Sequence, residues 1–482
     1  MSCLLVLARL ANPSSAVQRD AVRAGAVPPL AVLMREGSSE QQLHAARLAA
    51  ILAQSSAAHP ALTQGEVLDG VLQLLASPSP AVAEHGASVV AVLANNPSTH
   101  TQLLGRGALP LLLDLVDPAS GASPRGLADS LACLLLLALH DARQAELMCR
   151  SGLLPRLLPR LAQRPGLSAC EHGAALLACL AQYPPLQTQL VQAGGISVLL
   201  QLLAPPALTD MAASSGRAEA AEACSEAAAR AAEALTLMAA TEGQRDLLLV
   251  RGEEVLAAAL ARLDLGASAP PVLRHWALTL IQLLAQDESV VAAVWPRLAL
   301  VKGMLGRVLG NQELGQCGDS RSAQVQAAWL IARLCTDPDL GAALGAAGQE
   351  ESPSCALALA DQNPVSGSPP LGPGAGPGLV RPLVALLAAG MASEARGMGG
   401  GLYGSVAIRP RAPGSSPLAL APGAGGRPRV LRIEALEGNS VAAATAALLG
   451  LARCSGVARG AVAAELVLWG EWCGQAVRLP GL

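Results

Sequence analysis

Phenylalanine is missing from all 482 residues, and aromatics of every kind make up only 1% of the chain. Compact cores fill much of their volume with aromatic rings, so a core of that type is excluded even though 52% of the residues are hydrophobic. Alanine, leucine and valine remain, and they suit closely packed helices. Lysine is nearly absent too: Lys302 is the only one, and arginine carries the other fixed positive charges. A net charge of −3 argues against a general nucleic-acid or anionic-membrane binder. No CxxC spacing occurs among the eleven scattered cysteines, which reads as a reduced, intracellular chain. Long apolar runs are lacking as well. A membrane-spanning helix needs roughly 18 apolar residues in a row, and the longest candidate, "LACLLLLAL" at 131–139, ends at His140-Asp141. The first residues have no basic stretch before Arg9, and Ser2 follows Met1, so neither a signal peptide nor myristoylation is expected.

What is present is a repeat. "RAGAVPPLAVL" from Arg23, "TQGEVLDGVLQLL" from Thr63, "GRGALPLLLDLV" from Gly105, "RSGLLPRLLPRL" from Arg150 and "QAGGISVLLQLL" from Gln192 align on Gly25, Gly65, Gly107, Gly152 and Gly194. The spacings are 40, 42, 45 and 42 residues, and Gly252 follows after 58, with an insert around 205–217. Glycine ends one helix, where a left-handed residue is wanted. Pro28, Pro110 or Pro155 then sits in the first turn of the next, where a missing N–H costs nothing. A second helical segment precedes each glycine, as in "EHGASVVAVLAN" and "EHGAALLACLAQ", with small residues early in it that allow close helix approach.

These segments resemble the armadillo repeat, read as a "GAIPLLVxLL" helix, a short helix and an "EHAAxALxNLA" helix: "AGAVPPLAVL" and "GRGALPLLLDLV" match the first, "AEHGASVVAVLAN" and "CEHGAALLACLAQ" the third. The resemblance implies an all-α fold, a right-handed α-solenoid whose third helices line a concave groove, each repeat burying its face against its neighbours. The expected organisation is an array over 1–348 with a partial first repeat and about seven more. Disordered Pro/Gly/Ser-rich residues follow at 349–378, then a degenerate repeat helix at 379–396 around "GLVRPLVALLAAG". A disordered Arg/Gly/Pro-rich insert at 397–432 precedes C-terminal repeat helices or a cap at 433–482.

In nuclear-import and catenin-like members of that family a ladder of Asn residues on the third helix binds an extended peptide. Here the matching positions hold Arg9, Ile51, Val92, Cys179, Leu237, Leu283, Arg333 and Gly450, so the ladder is absent. Trp329 and Arg333 lie one turn apart and match the family's Trp/Asn pair, with Arg for Asn; together they could anchor an acidic or aromatic partner. His44, His85 and His172 recur at one position of successive third helices, and with Arg47 they complete the candidate groove residues. Repeats about 10 Å apart are too distant for shared metal coordination, so the histidines read as structural and no metal site is expected. Cys170, Glu171 and His172 are adjacent on one helix and cannot face each other as a catalytic set. No phosphate loop is found, since "GAGPG" and "GMGGG" follow no strand. "PPLGP" and the arginines of 397–432 read as linker.

The expectation is therefore a non-catalytic adaptor or scaffold without cofactor or metal. It would be monomeric and cytoplasmic, with a ciliary, cytoskeletal or nuclear setting as variants. It would bind a protein partner, and no small-molecule substrate, DNA or membrane. Two alternatives rest on the resemblance. One is the substrate-recognition part of a U-box-type ubiquitin ligase; the other is an import adaptor, which the missing Asn ladder disfavours.

Overall fold

The computed structural model describes residues 15–55, 58–63, 65–204, 217–263, 270–310, 318–345 and 440–454, together with Leu379, Leu383, Val384, Leu386 and Val462. Among these residues the chain is helical and contains no strand. It divides into two compact units, Met1–Gln244 and Arg245–Leu482.

The first unit is built from triples of helices. The first is α1 (Ser15–Arg23), α2 (Val27–Glu36) and α3 (Ser39–Ala53), the second α4 (His59–Leu62), α5 (Gly65–Leu75) and α6 (Pro80–Ala94). Next come α7 (Pro97–Gly105), α8 (Ala108–Val116) and α9 (Pro124–His140), then α10 (Ala142–Arg150), α11 (Leu153–Ala162) and α12 (Leu167–Ala181). The last triple is α13 (Pro184–Gln192), α14 (Gly195–Leu203) and α15 (Arg217–Ala239), and α16 (Glu242–Leu249) spans the boundary. The third helices α3, α6, α9, α12 and α15 pack side by side in chain order, and the second helices α2, α5, α8, α11 and α14 do the same. The sequence pattern has 1–23 as the last helix of an incomplete repeat; instead residues 15–23 form the short first helix of a complete triple, and residues 1–14 lie outside the described residues.

The second unit continues with α17 (Gly252–Leu263), α18 (Pro271–Leu284), α19 (Glu288–Val294), α20 (Leu298–Gly310), α21 (Gly318–Leu334), α22 (Pro338–Gly345) and α23 (Ser440–Cys454). Here α18, α21 and α23 form the third-helix layer. Of the helix expected at 379–396, Leu379, Leu383, Val384 and Leu386 are described, and all four are buried. The inserts at 349–378 and 397–432, nearly all of 205–217 and the chain after 454 apart from Val462 lie outside the described residues. Glu288–Gly306 is apolar and long enough by length and composition to cross a membrane. A 3₁₀ turn at Trp295–Arg297 interrupts it, and Val290, Val294, Val301, Met304 and Leu305 are in the core.

The chemistry of the joints follows the sequence. Gly25, Gly107, Gly152 and Gly194 have φ between +79° and +86°, the left-handed stop expected at a helix end, and the helix each one closes is the short helix that opens its triple, so the "GAIPLL"-type helix comes second and not first. Gly65 and Gly252 differ: each is the first residue of its helix, with no positive φ. At Gly65 an added Cβ would meet only the movable tip of Arg106, 2.7 Å from its Nη2, whose guanidinium donates to Gly65 O and pairs with Asp69.

Small residues early in the third helices let the layers close. An added Cβ on Gly86 would lie 2.8 Å from Leu75 N on α5, and one on Gly173 would lie 2.5 Å from Leu161 Cδ2 on α11. Alanines act in the same way: Ala45, Ala46 and Ala49 of α3 and Ala174 of α12 are fully buried. The core is leucine set between alanines, and each buried leucine contributes roughly 1.5–3 kcal/mol.

A helix end leaves carbonyls without partners, and in three repeats the chain supplies one donor in the same way. His59 Nε2 lies 2.8 Å from Ala53 O, His100 Nε2 lies 2.7 Å from Ala94 O, and Gln187 Nε2 donates to Ala181 O at 2.7 Å. Each donor sits six residues after its acceptor, at the start of the next triple. His100 and Gln187 are therefore buried polar groups with a structural task.

Candidate functional site

The third-helix layer of the first unit carries a set of interacting charged side chains, contributed by α3, α6 and α9. At its centre is Glu84, half-buried on α6. Ser123 Oγ donates to Glu84 Oε2 at 2.6 Å, and Arg125 Nε lies 3.7 Å from Glu84 Oε1. Ser123 also accepts from Gly126 N at 3.0 Å as the N-cap of α9, so the cap fixes the hydroxyl that holds Glu84. One turn into α9, Asp129 is hydrogen-bonded by Ser88 of α6, while its Oδ2 is buried with no hydrogen-bond partner. Burial raises the Asp129 carboxyl above the ordinary range; Arg125 opposes this and Glu84 adds to it.

His85 is beside Glu84, half-exposed. Burial lowers its pKa, Glu84 opposes, and Arg125 and Arg47 push it further down. Arg47 on α3 is exposed, so charges from three successive helices act on one another across the layer. Further along, burial lowers the pKa of half-exposed His172 on α12. On α15, Arg230 bridges Glu226 (3.0 Å) and Glu233 (2.9 Å). Glu233 is 4% exposed and its pKa is raised by burial against the pull of Arg230.

Arg47, His85 and their neighbours therefore converge, and His44 is half-exposed on α3 in the same layer. Among the described residues no three His, Cys, Asp or Glu side chains are grouped to hold a metal ion. Trp329 and Arg333 lie on α21 in the second unit, both half-exposed. Arg333 is engaged: Nε donates to Ala285 O and Nη2 to Gln286 O, each at 2.9 Å, and Nη1 to Thr336 Oγ1 at 3.2 Å. Its guanidinium closes the end of α18, the task His59, His100 and Gln187 perform elsewhere. Glu84 has one signal in the sequence, the "EH" pair with His85, whereas Ser123, Arg125 and Asp129 join it only through the packing of α9 on α6.

A short first helix, a second helix and a longer third helix recur, with second and third helices each layered on their counterparts. The fold is armadillo-like. An engineered protein of known structure overlays on 98% of this chain and 89% of its own length, with a TM-score of 0.59 at 18% identity. A computationally designed armadillo repeat protein for modular peptide recognition overlays on 49% of this chain and 92% of its own, with a TM-score of 0.42 and 22% identity. A designed armadillo repeat protein in complex with the peptide (KR)4 covers 47% and 92%, with a TM-score of 0.39 and 22% identity. No protein-family model matches the sequence, and no curated protein matches it significantly.

Proposed function

We propose that the chain is a non-catalytic scaffold that holds a protein partner on the third-helix layer of its first unit. The observation that carries this reading is the charged row Arg47, Glu84, His85, Arg125 and Asp129, drawn from three adjacent helices, with Arg47 and Arg125 exposed and the other three half-buried between them. Repeat layers of this kind offer extended surfaces for association, and charges of both signs set partner choice and approach rate more than affinity. The partner we infer is a protein segment with acidic and basic groups in register with that row. The seven described cysteines, all free, support a cytoplasmic setting. The ubiquitin-ligase and import readings rest on resemblance alone.

The test is affinity capture by wild-type protein and by Arg47→Glu/Arg125→Glu, with binding of each recovered protein then measured on purified components. The expected result is a direct partner whose affinity drops at least tenfold in the variant, at unchanged melting temperature. A partner bound equally by both moves the site elsewhere. Trp329→Ala then tests the second unit without breaking the Arg333 cap.

A further inference from the structure

The ends of α21 and α23 meet at two cysteines that the repeat pattern does not require. Cys454 Sγ donates to Cys335 O at 3.3 Å, across 119 residues of sequence, and the two thiols interact directly. Both cysteines are free, Cys335 buried and Cys454 partly exposed. Two glycines bring the helices this close. A Cβ added to Gly450 would lie 2.8 Å from Cys335 Cβ and 3.4 Å from its Sγ. One added to Gly341 would lie 2.8 Å from Cys454 Cβ and 3.2 Å from Cys335 Cα. The same point beside Gly341 is thus close to both cysteines, and with Cys454 Sγ on Cys335 O the two side chains are neighbours, the proximity that a disulfide requires.

We propose that Cys335 and Cys454 form a modification site, a dithiol that a low-molecular-weight disulfide converts into an intramolecular disulfide stapling α23 to α21. In the first step Cys454 loses its proton and attacks one sulfur of the reagent RSSR, giving a mixed disulfide and releasing one RSH. Cys335 then loses its proton and attacks the Cys454 sulfur, expelling the second RSH. The dithiol is oxidised by two electrons and RSSR is reduced to two RSH. Cys454 is the entry thiol because it is partly exposed. Burial pushes Cys335 up to about 12, with help from the Cys454 sulfur, so its attack depends on being held against the mixed disulfide. Burial also raises Cys454, so cross-linking is slow at neutral pH and quickens as pH rises. The consequence is structural: the bond joins residues 119 apart in sequence, and a cross-link over so long a stretch constrains the unfolded chain strongly.

The test treats the full-length protein with oxidised glutathione at pH 8. Non-reduced peptides are then mapped by tandem mass spectrometry, alongside melting curves. The expected result is a Cys335–Cys454 link, a loss of two hydrogens from the intact mass, and a melting temperature that rises and returns on reduction. Cys355→Ser should keep the link, and Cys335→Ser should stop at glutathione on Cys454. Persistent glutathione on wild-type Cys454, or a link between other cysteines, overturns the proposal. Because the mapping is read on the wild-type chain, a poorly folding variant leaves that result intact.

Discussion

Single side chains in this fold are judged by what lies within a few tenths of an ångström. Gly86 and Gly173 occupy the same position in two repeats and face different obstacles. Alanine in a helix gains up to about 1 kcal/mol over glycine. At Gly86 the new methyl meets backbone, Leu75 N at 2.8 Å and Leu74 C at 3.1 Å, which cannot move without shifting α5. Overpacking of that kind costs roughly 1–3 kcal/mol, so Gly86→Ala is expected to be destabilising in urea titrations. At Gly173 the obstacle is the tip of Leu161, which can change rotamer, and Gly173→Ala should come out near neutral. Equal losses in the two variants would contradict this reading of the contacts. The carbonyl caps give a second pair. His100→Ala leaves Ala94 O without its side-chain donor and should cost about 1–3 kcal/mol. His100→Gln should retain most of the stability, because Gln187 makes the same bond in a later repeat. If glutamine proves as damaging as alanine in thermal melts, the ring's packing and not its N–H is what matters.

Helices show where the sequence is legible and where it is not. The left-handed glycines between first and second helices, the apolar spacing and the small residues of the third helices are local signals, and they reveal the repeat directly. Arg333 is different. Its position along α21 can be aligned, but its bonds to Ala285 O and Gln286 O depend on the packing of α21 against α18, which no single-helix pattern encodes. The cluster on α9 is hidden for the same reason, since Asp129 and Arg125 matter only through their placement beside Glu84 and His85 of α6. The third-helix face also carries a pH dependence. Burial lowers the pKa of His85 and His172. The unfolded chain then binds more protons than the folded one below about 6.5, histidine's ordinary value. Their contribution to stability is therefore full above that value and is lost as pH falls toward their lowered values. Asp129, with a raised pKa, works in the opposite sense at lower pH, its fold preferring the protonated acid. Melting temperatures between pH 5 and 8 should fall on acidification, and the fall should flatten in His85→Gln/His172→Gln. A slope unchanged in that variant would assign the dependence to other groups.

At the scale of the whole molecule, the repeats bury their faces mainly against the next repeat, and the chain forms two units with their own cores. Stability in such arrays is close to a sum of local and nearest-neighbour contributions, so damage is expected to stay near its source. Gly86→Ala strikes the contact between α5 and α6, two elements of the first unit. Native-state hydrogen exchange reads each helix separately. Amides of α5, α6 and the flanking α3 and α9 should lose protection in that variant, because those helices pack in sequence along one layer. Amides of α18, α20 and α21 belong to the second unit and should exchange as in the wild type. A uniform loss of protection in both units would mean that the chain unfolds as one cooperative body. Confinement to the first unit would mean that a partner docked on the charged row stabilises those repeats alone, a local gain in protection that the same measurement would detect on binding.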